Sequence, residues 1–197
     1  MADSVMGGER LRVHEFLPHS RANGPGVRAV IWVQGCTLGC PGCFNPATHS
    51  HAGGELVRVD ELVERIAALD REQAIEGLSI SGGEPLQQLD ALLALLQRVR
   101  EETTLSVVVF TGYAREEIAG MDGADELLAC VDVLVAGRYD ASRPVVAPSD
   151  LRGSENQTVD LLSGRYTLDD LRMVPPAEII ITSQGEVWVS GVDTVEW

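Results

Sequence analysis

The chain has 197 residues, 45% of them hydrophobic and 23% charged, which is most simply one domain, 1–197, with enough apolar content for a full core. Its formal net charge of −15, from 15 Lys and Arg against 30 Asp and Glu, opposes attraction to phosphate backbones and argues against a nucleic-acid partner. No apolar stretch reaches the roughly 18 residues that cross a bilayer, no basic leader precedes an apolar core, and four cysteines are few for this length, so a cytoplasmic protein in a reducing compartment with no membrane partner is expected.

Leu11 to Phe16 opens the chain as an N-terminal stretch. The apolar run Ala29-Val30-Ile31-Trp32-Val33 reads as a buried strand ending at Gln34, and a cysteine-bearing loop follows it. Leu62, Val63, Ile66 and Leu69 form one stripe of a helix. Next come a strand at Leu78–Ser81, a paired-glycine turn, and a helix carrying Leu92, Leu93, Leu96 and Val99. Leu105–Phe110 is nearly continuous apolar sequence, as a parallel strand covered on both faces should be. The pattern over Glu116–Ala129 is helical but contains Gly120 and Gly123, which predicts a break in its middle. The strand Val131–Val135 completes the alternation.

This is a parallel α/β pattern with its core at about 27–136. A closed eight-fold barrel takes ~250 residues, so only an incomplete (β/α) barrel of parallel strands can be built here. Residues 138–172, rich in Pro, Ser, Gly and Asp, read as one long irregular segment. Then Glu178–Thr182 and Glu186–Val189 flank Ser183-Gln184-Gly185, which predicts a C-terminal β-hairpin over about 178–190, placed to cover a sheet edge.

Two motifs carry chemistry. Cys36, Cys40 and Cys43 read C-x3-C-x2-C on one short loop at the end of a buried strand. Three soft thiolates suit an iron–sulfur cubane, leaving one of its four irons open, as a catalytic metal site requires. Cys130 stands far away and alone, so no local cysteine closes the fourth position. A zinc site completed by His49 or His51, and unrelated thiols, remain alternatives at this point. The second motif is Ser81-Gly82-Gly83-Glu84-Pro85, where the missing side chains let a strand end approach a ligand and expose its carbonyls to an ammonium group. An ordinary strand-to-helix turn has the same form.

Together the motifs resemble the radical S-adenosylmethionine superfamily, and within it the activating enzymes of glycyl radical enzymes, above all those serving anaerobic ribonucleotide reductase. The resemblance rests on Asn23-Gly24-Pro25-Gly26-Val27-Arg28, Gln34-Gly35-Cys36, and Cys40-Pro41-Gly42-Cys43-Phe44-Asn45, with the paired-glycine motif. Phe110-Thr111-Gly112-Tyr113, Asp132-Val133-Leu134-Val135 and Leu151-Arg152-Gly153-Ser154-Glu155-Asn156-Gln157 extend it. Two positions depart from the family's pattern. Ala136 stands where an acidic residue often follows the Asp-Val-Leu-Val run, and Thr158 where a basic residue commonly follows Asn-Gln.

The resemblance implies the radical SAM fold and a single 4Fe-4S cluster held by Cys36, Cys40 and Cys43. It implies S-adenosyl-L-methionine as cofactor, its amine received by Gly82, Gly83 and Glu84 and its nucleoside lying along Gly42, Cys43 and Phe44. The resemblance further implies a 5′-deoxyadenosyl radical that makes a glycyl radical on a partner, the large subunit of the reductase, and a small flavoprotein (flavodoxin) or ferredoxin as the electron donor. Thr111 and Tyr113, ending a central strand, are placed to line the same pocket, and Arg138 and Arg152 are candidates for contacting a carboxylate or the partner. No acid–base catalyst stands out; His14, His19, His49 and His51 have no spacing that marks a base. A radical enzyme acting on a peptide or small molecule, and a non-catalytic iron–sulfur or zinc adaptor, are the other function classes.

Overall fold

In the computed structural model, which describes residues 9–145, 150–181, 185 and 187–192, β1 (Arg10–Ser20) leads into β2 (Arg28–Val33), β3 (Glu55–Arg58) and α1 (Val59–Arg71). The alternation repeats with β4 (Gly77–Gly82) and α2 (Leu89–Glu102), then β5 (Ser106–Thr111), α3 (Arg115–Ile118), α4 (Ala124–Ala129) and β6 (Val133–Ala136). After these come β7 (Thr158–Leu161), α5 (Leu168–Arg172), β8 (Ala177–Ile181) and β9 (Val187–Gly191).

Seven strands form one sheet in the order β3-β1-β2-β4-β5-β6-β7. β2, β4, β5 and β6 run parallel, the mixed α/β arrangement with a parallel sheet that the alternating pattern required. The edges differ from that pattern, because β1, β3 and β7 each pair antiparallel with their neighbours. The link from β1 to β2 is too short for the crossover that a parallel pair demands.

Along each parallel strand alternate residues part to opposite faces. Leu78 and Ile80 of β4, Val107 and Val109 of β5 and Leu134 of β6 pack with Leu62, Ile66, Leu92 and Leu96 under the helices. Each such burial stabilises the fold by about 1.5–3 kcal/mol. Val108, Val133 and Val135 point the other way and meet Leu151 and Leu171 in a smaller cluster.

The expected helix over 116–129 is two helices, broken where Gly123 takes a φ of 83°. The expected irregular stretch, 138–172, needs correction, since it contains β7 and α5. β7 is too short to show a periodicity of its own, and its place comes from pairing with β6. α5 starts at a reciprocal cap. The Asp170 N–H donates to Thr167 Oγ1 at 3.3 Å, and the Thr167 N–H donates to Asp170 Oδ2 at 2.8 Å. β8 and β9 pair antiparallel as a separate two-stranded sheet. Of the hairpin expected there, Thr182, Ser183, Gln184 and Glu186 lie outside the described residues.

The Asn23–Arg28 segment closes the N-terminal end of the parallel strands. The Arg28 guanidinium is fully buried and donates to the Ser79 hydroxyl (2.7 Å), the Ser106 hydroxyl (2.9 Å) and the carbonyls of Pro25 (2.9 Å), Leu78 (2.8 Å) and Ser106 (3.0 Å). Burial lowers its pKa to about 10, so it stays charged at neutral pH, held by oxygens rather than a carboxylate.

Candidate active site

The cysteine loop leaves β2 at Gln34, whose buried side chain organises it. Gln34 Nε2 donates to the carbonyls of Ala47 (3.2 Å) and Ser50 (2.6 Å), while Oε1 lies 2.7 Å from His14 Nδ1. The Gly35 N–H donates to the Thr48 carbonyl at 2.7 Å and the Cys36 N–H to that of His49 at 3.1 Å, so the loop's two ends are tied together. Within it the Cys43 N–H reaches the Cys40 carbonyl at 3.2 Å, and the Asn45 N–H donates to Cys43 Sγ at 3.4 Å.

The paired glycines weld β4 to this loop. A Cβ on Gly82 would lie 2.5 Å from the Val33 nitrogen, and one on Gly83 would lie 2.4 Å from the Gly35 carbonyl oxygen. The Gly83 N–H donates to the Val33 carbonyl (2.8 Å) and the Glu84 N–H to that of Gly35 (2.9 Å). Room for a ligand's amine is therefore not what excludes a side chain at Gly83; the backbone that leads to Cys36 already fills that space.

Glu84 is equally committed to the protein itself. Its Oε1 accepts from the Leu86 N–H (2.9 Å) and the Thr111 hydroxyl (2.7 Å), and its Oε2 from the Gly112 N–H (2.8 Å). Burial pushes this carboxyl up, against the pull of those three donors and of Arg138. The side chain clamps the ends of β4 and β5 together.

One pocket opens at these strand ends. Cys36, Cys40, Cys43 and Phe44 line it from the loop, Gly82, Gly83 and Glu84 from β4 onward, and Thr111 and Gly112 from the end of β5 onward. Gly42 and Tyr113 are not on its wall. The Tyr113 hydroxyl instead accepts from Gln87 Nε2 at 3.3 Å, and the Arg138 guanidinium stacks 5.0 Å from its ring. Arg138 also pairs with Glu117 at 2.8 Å, and Arg152 with Asp150 at 2.6 Å. The expected candidates for a carboxylate or partner contact both hold intramolecular ion pairs.

Sequence reasoning did not find the floor of the pocket, made by Asn23, Trp32, Ser81, Phe110 and Leu151. The signal available was alternation, since Trp32, Ser81 and Phe110 are the residues that turn away from the helix face. Nor did it find Tyr139, whose ring meets that of the expected Phe44 at the far wall with centroids 4.5 Å apart. Gln157 seats that wall. Its Oε1 accepts from the Gly153 N–H (2.9 Å) and its Nε2 donates to the Gly137 carbonyl (2.9 Å).

Among the described residues no three His, Cys, Asp or Glu side chains converge as a ready-made metal centre, whether of thiols alone or of thiols with His49 or His51. The donor set nonetheless fits a cluster better than zinc, because three soft thiols and no histidine line the pocket. Burial raises the Cys36 thiol pKa, and nearby Glu84, Cys40 and Cys43 add to the rise. Cys130 belongs to the core beneath the helices, away from this wall.

The chain matches the 4Fe-4S single cluster domain family over residues 22–160. It is 34% identical over 163 residues to the anaerobic ribonucleoside-triphosphate reductase-activating protein of Vibrio cholerae, covering 80% of this chain and 100% of that protein. The protein of the same name from Escherichia coli K12 is 32% identical over 156 residues, 76% of this chain and 97% of its own, and that of phage T4 is 33% identical over 143 residues, 71% and 87%. This chain belongs to the family of anaerobic ribonucleoside-triphosphate reductase-activating proteins. The solved structure of QueE from Escherichia coli overlaps 52% of this chain and 53% of its own at 20% identity and a TM-score of 0.41, a partial likeness. The three loop cysteines and the paired glycines fall within the matched residues, whereas α5, β8 and β9 lie beyond them.

Proposed function

We propose that this chain activates an anaerobic ribonucleoside-triphosphate reductase by generating a radical on a backbone glycine of its large subunit. The observation that carries this reading is the single pocket that joins three loop thiols to the paired-glycine turn at the ends of parallel strands, in a chain of this family. Cys36, Cys40 and Cys43 would hold a 4Fe-4S cluster, which when bound would supply the electron for reductive cleavage of S-adenosyl-L-methionine and so the radical chemistry that removes the glycine's hydrogen atom.

The remaining work belongs to side chains and backbone. The carbonyls of Gly82 and Gly83 would accept from the methionine amine of the bound cofactor, and Glu84 keeps Thr111 and Gly112 fixed beside them. Phe44, backed by Tyr139, gives an apolar seat for the nucleoside, and Trp32, Phe110 and Leu151 exclude water from the floor. The sheet serves as an incomplete (β/α) barrel whose lateral gap admits a segment of another protein. A flavodoxin or ferredoxin type donor in the cytoplasm would supply the cluster's electron.

The test is anaerobic. With reductant, S-adenosylmethionine and the reductase, the protein is expected to yield methionine, 5′-deoxyadenosine and a doublet glycyl signal by electron paramagnetic resonance, and deuterium at the glycine Cα should appear in the 5′-deoxyadenosine. Turnover that leaves no radical on the reductase and needs a free peptide or small molecule would move the function to that class.

A further inference from the structure

The β8–β9 ribbon lies beyond residues 22–160, which match the 4Fe-4S single cluster domain family, yet it reaches the candidate site. It is fastened where the matched region begins: Asn23 Nδ2 donates to Ser190 Oγ at 2.6 Å, and the Arg21 N–H donates to Glu178 Oε2 at 3.0 Å. Gly191 and Val192 then form part of the wall of the site pocket.

A second pocket opens beside the first. Trp188, Val189 and Ser190 of the ribbon line it together with His14, Glu15 and Leu17 of β1. Trp32, Phe44, Asn45 and Gly191 line both pockets, so the two adjoin. On its outward face the ribbon sets Ile179 opposite Val189 and Ile181 opposite Val187. These four side chains are 47%, 48%, 71% and 58% exposed in that order, an apolar stripe running up to the second pocket. A two-stranded ribbon is marginal by itself in water, and an apolar surface of this kind marks a site of protein contact.

A glycine inside a protein reaches a pocket only if the chain on either side of it has a way out. The second pocket offers that way, and the outward stripe offers a surface to the body of the molecule that carries the segment. A second copy of this chain seated on the stripe would crowd the mouth that the substrate must use. We propose that the β8–β9 ribbon is a docking element for the glycine-bearing partner. The partner's extended glycine segment lies between β1 and β9, and its body rests on Ile179, Ile181, Val187 and Val189. This rests on the activating function proposed above and assigns the partner's contact within it.

The experiment pairs the full-length protein with the reductase. Amides of β8 and β9 in the parent should become protected from hydrogen exchange when the reductase is added. The Ile179→Glu/Val187→Glu variant, altered where neither pocket is lined, should bind the reductase at least about tenfold more weakly and leave less glycyl radical. Its cleavage of S-adenosylmethionine without the reductase should match the parent's. Unchanged ribbon protection, or parent-like reductase affinity in the variant, overturns the assignment. A dimer of this chain that the same substitutions abolish, with reductase binding intact, also overturns it in favour of a second copy. A parent that cleaves S-adenosylmethionine but marks no glycine on the reductase sinks the activating function itself.

Discussion

The two faces of the parallel sheet use the same strands for opposite ends. Beneath the helices β4 offers Leu78 and Ile80 and β5 offers Val107 and Val109, all packed in one apolar core. On the other face the same strands offer Ser79 and Ser81, and Ser106 and Phe110. There Ser79 and Ser106 serve the buried Arg28, while Ser81 and Phe110 floor the pocket. A period of two thus lets six-residue strands hold the molecule together on one side and build a site on the other. The helix face should govern stability, and the pocket face should govern iron and substrate.

The sharpest way to break that division is through the cysteines, which lie on both sides of it. Cys40→Ala is expected to abolish iron binding in anaerobically reconstituted protein, whereas Cys130→Ala, in the helix-side core, should keep about four irons per chain. Iron and sulfide assays with the absorbance spectrum decide it. Zinc as the tightly held metal, or loss of iron on changing Cys130, would erase the contrast.

Gly83→Val comes next in size and blurs the division by design. The added Cβ would strike the Gly35 carbonyl oxygen, so the cysteine loop must move away from β4. The expected result is loss of stability together with loss of iron, since the backbone that leads into Cys36 is what yields. A variant that holds its cluster and its thermal midpoint, losing only S-adenosylmethionine affinity, would return Gly83 to a purely ligand-facing role.

How much of this was legible in the sequence depends on where each residue's role is decided. Parallel strands announce themselves as apolar runs, and the cysteine loop and paired glycines by spacing, because their constraints are local. β3 and β7 have four residues each and exist only through pairing with β1 and β6. Asn23, Trp32, Phe110 and Gln157 meet only once the sheet has formed. Two departures from the family's pattern become one feature in the structure, since Ala136 and Thr158 are directly opposite across β6 and β7. An expected acidic and basic pair is replaced there by an uncharged pair on adjacent strands, a local exchange that does not touch the pocket wall.

Leu96→Ala should act on the helix face alone. Leu96 is fully buried with Leu62, Ile66 and Leu92, and its truncation is expected to cost about 3 kcal/mol, read from the urea midpoint of the cluster-free protein. The folded variant should take up iron as the parent does. Iron loss out of proportion to the unfolded fraction would mean that the two faces are coupled through the strands.

The smallest effect expected is a dependence on pH, at the end of the sheet away from the cysteines. Asp132, just before β6, is buried, and burial alone would raise its pKa. The Ser163 hydroxyl (2.6 Å), the Val107 N–H (2.7 Å) and Arg100 (2.7 Å) outweigh burial and hold the carboxyl below the ordinary aspartate value. A carboxylate that is more acidic folded than unfolded adds stability that is complete above the ordinary value. That stability is lost as pH falls through it towards the folded pKa. Asp132→Asn keeps the shape but turns an N–H toward one of these donors, at a cost of about 1–3 kcal/mol near neutral pH. The variant's stability should therefore fall less steeply than the parent's on acidification, with the two curves converging below about pH 4. Its cleavage of S-adenosylmethionine at neutral pH should be unchanged, because no atom of Asp132 lines the pocket. Urea midpoints measured from about pH 3 to 7 test the first point. Parallel curves for parent and variant would remove Asp132 from the acid response, and a fall in turnover would show that this end of the sheet reaches the site.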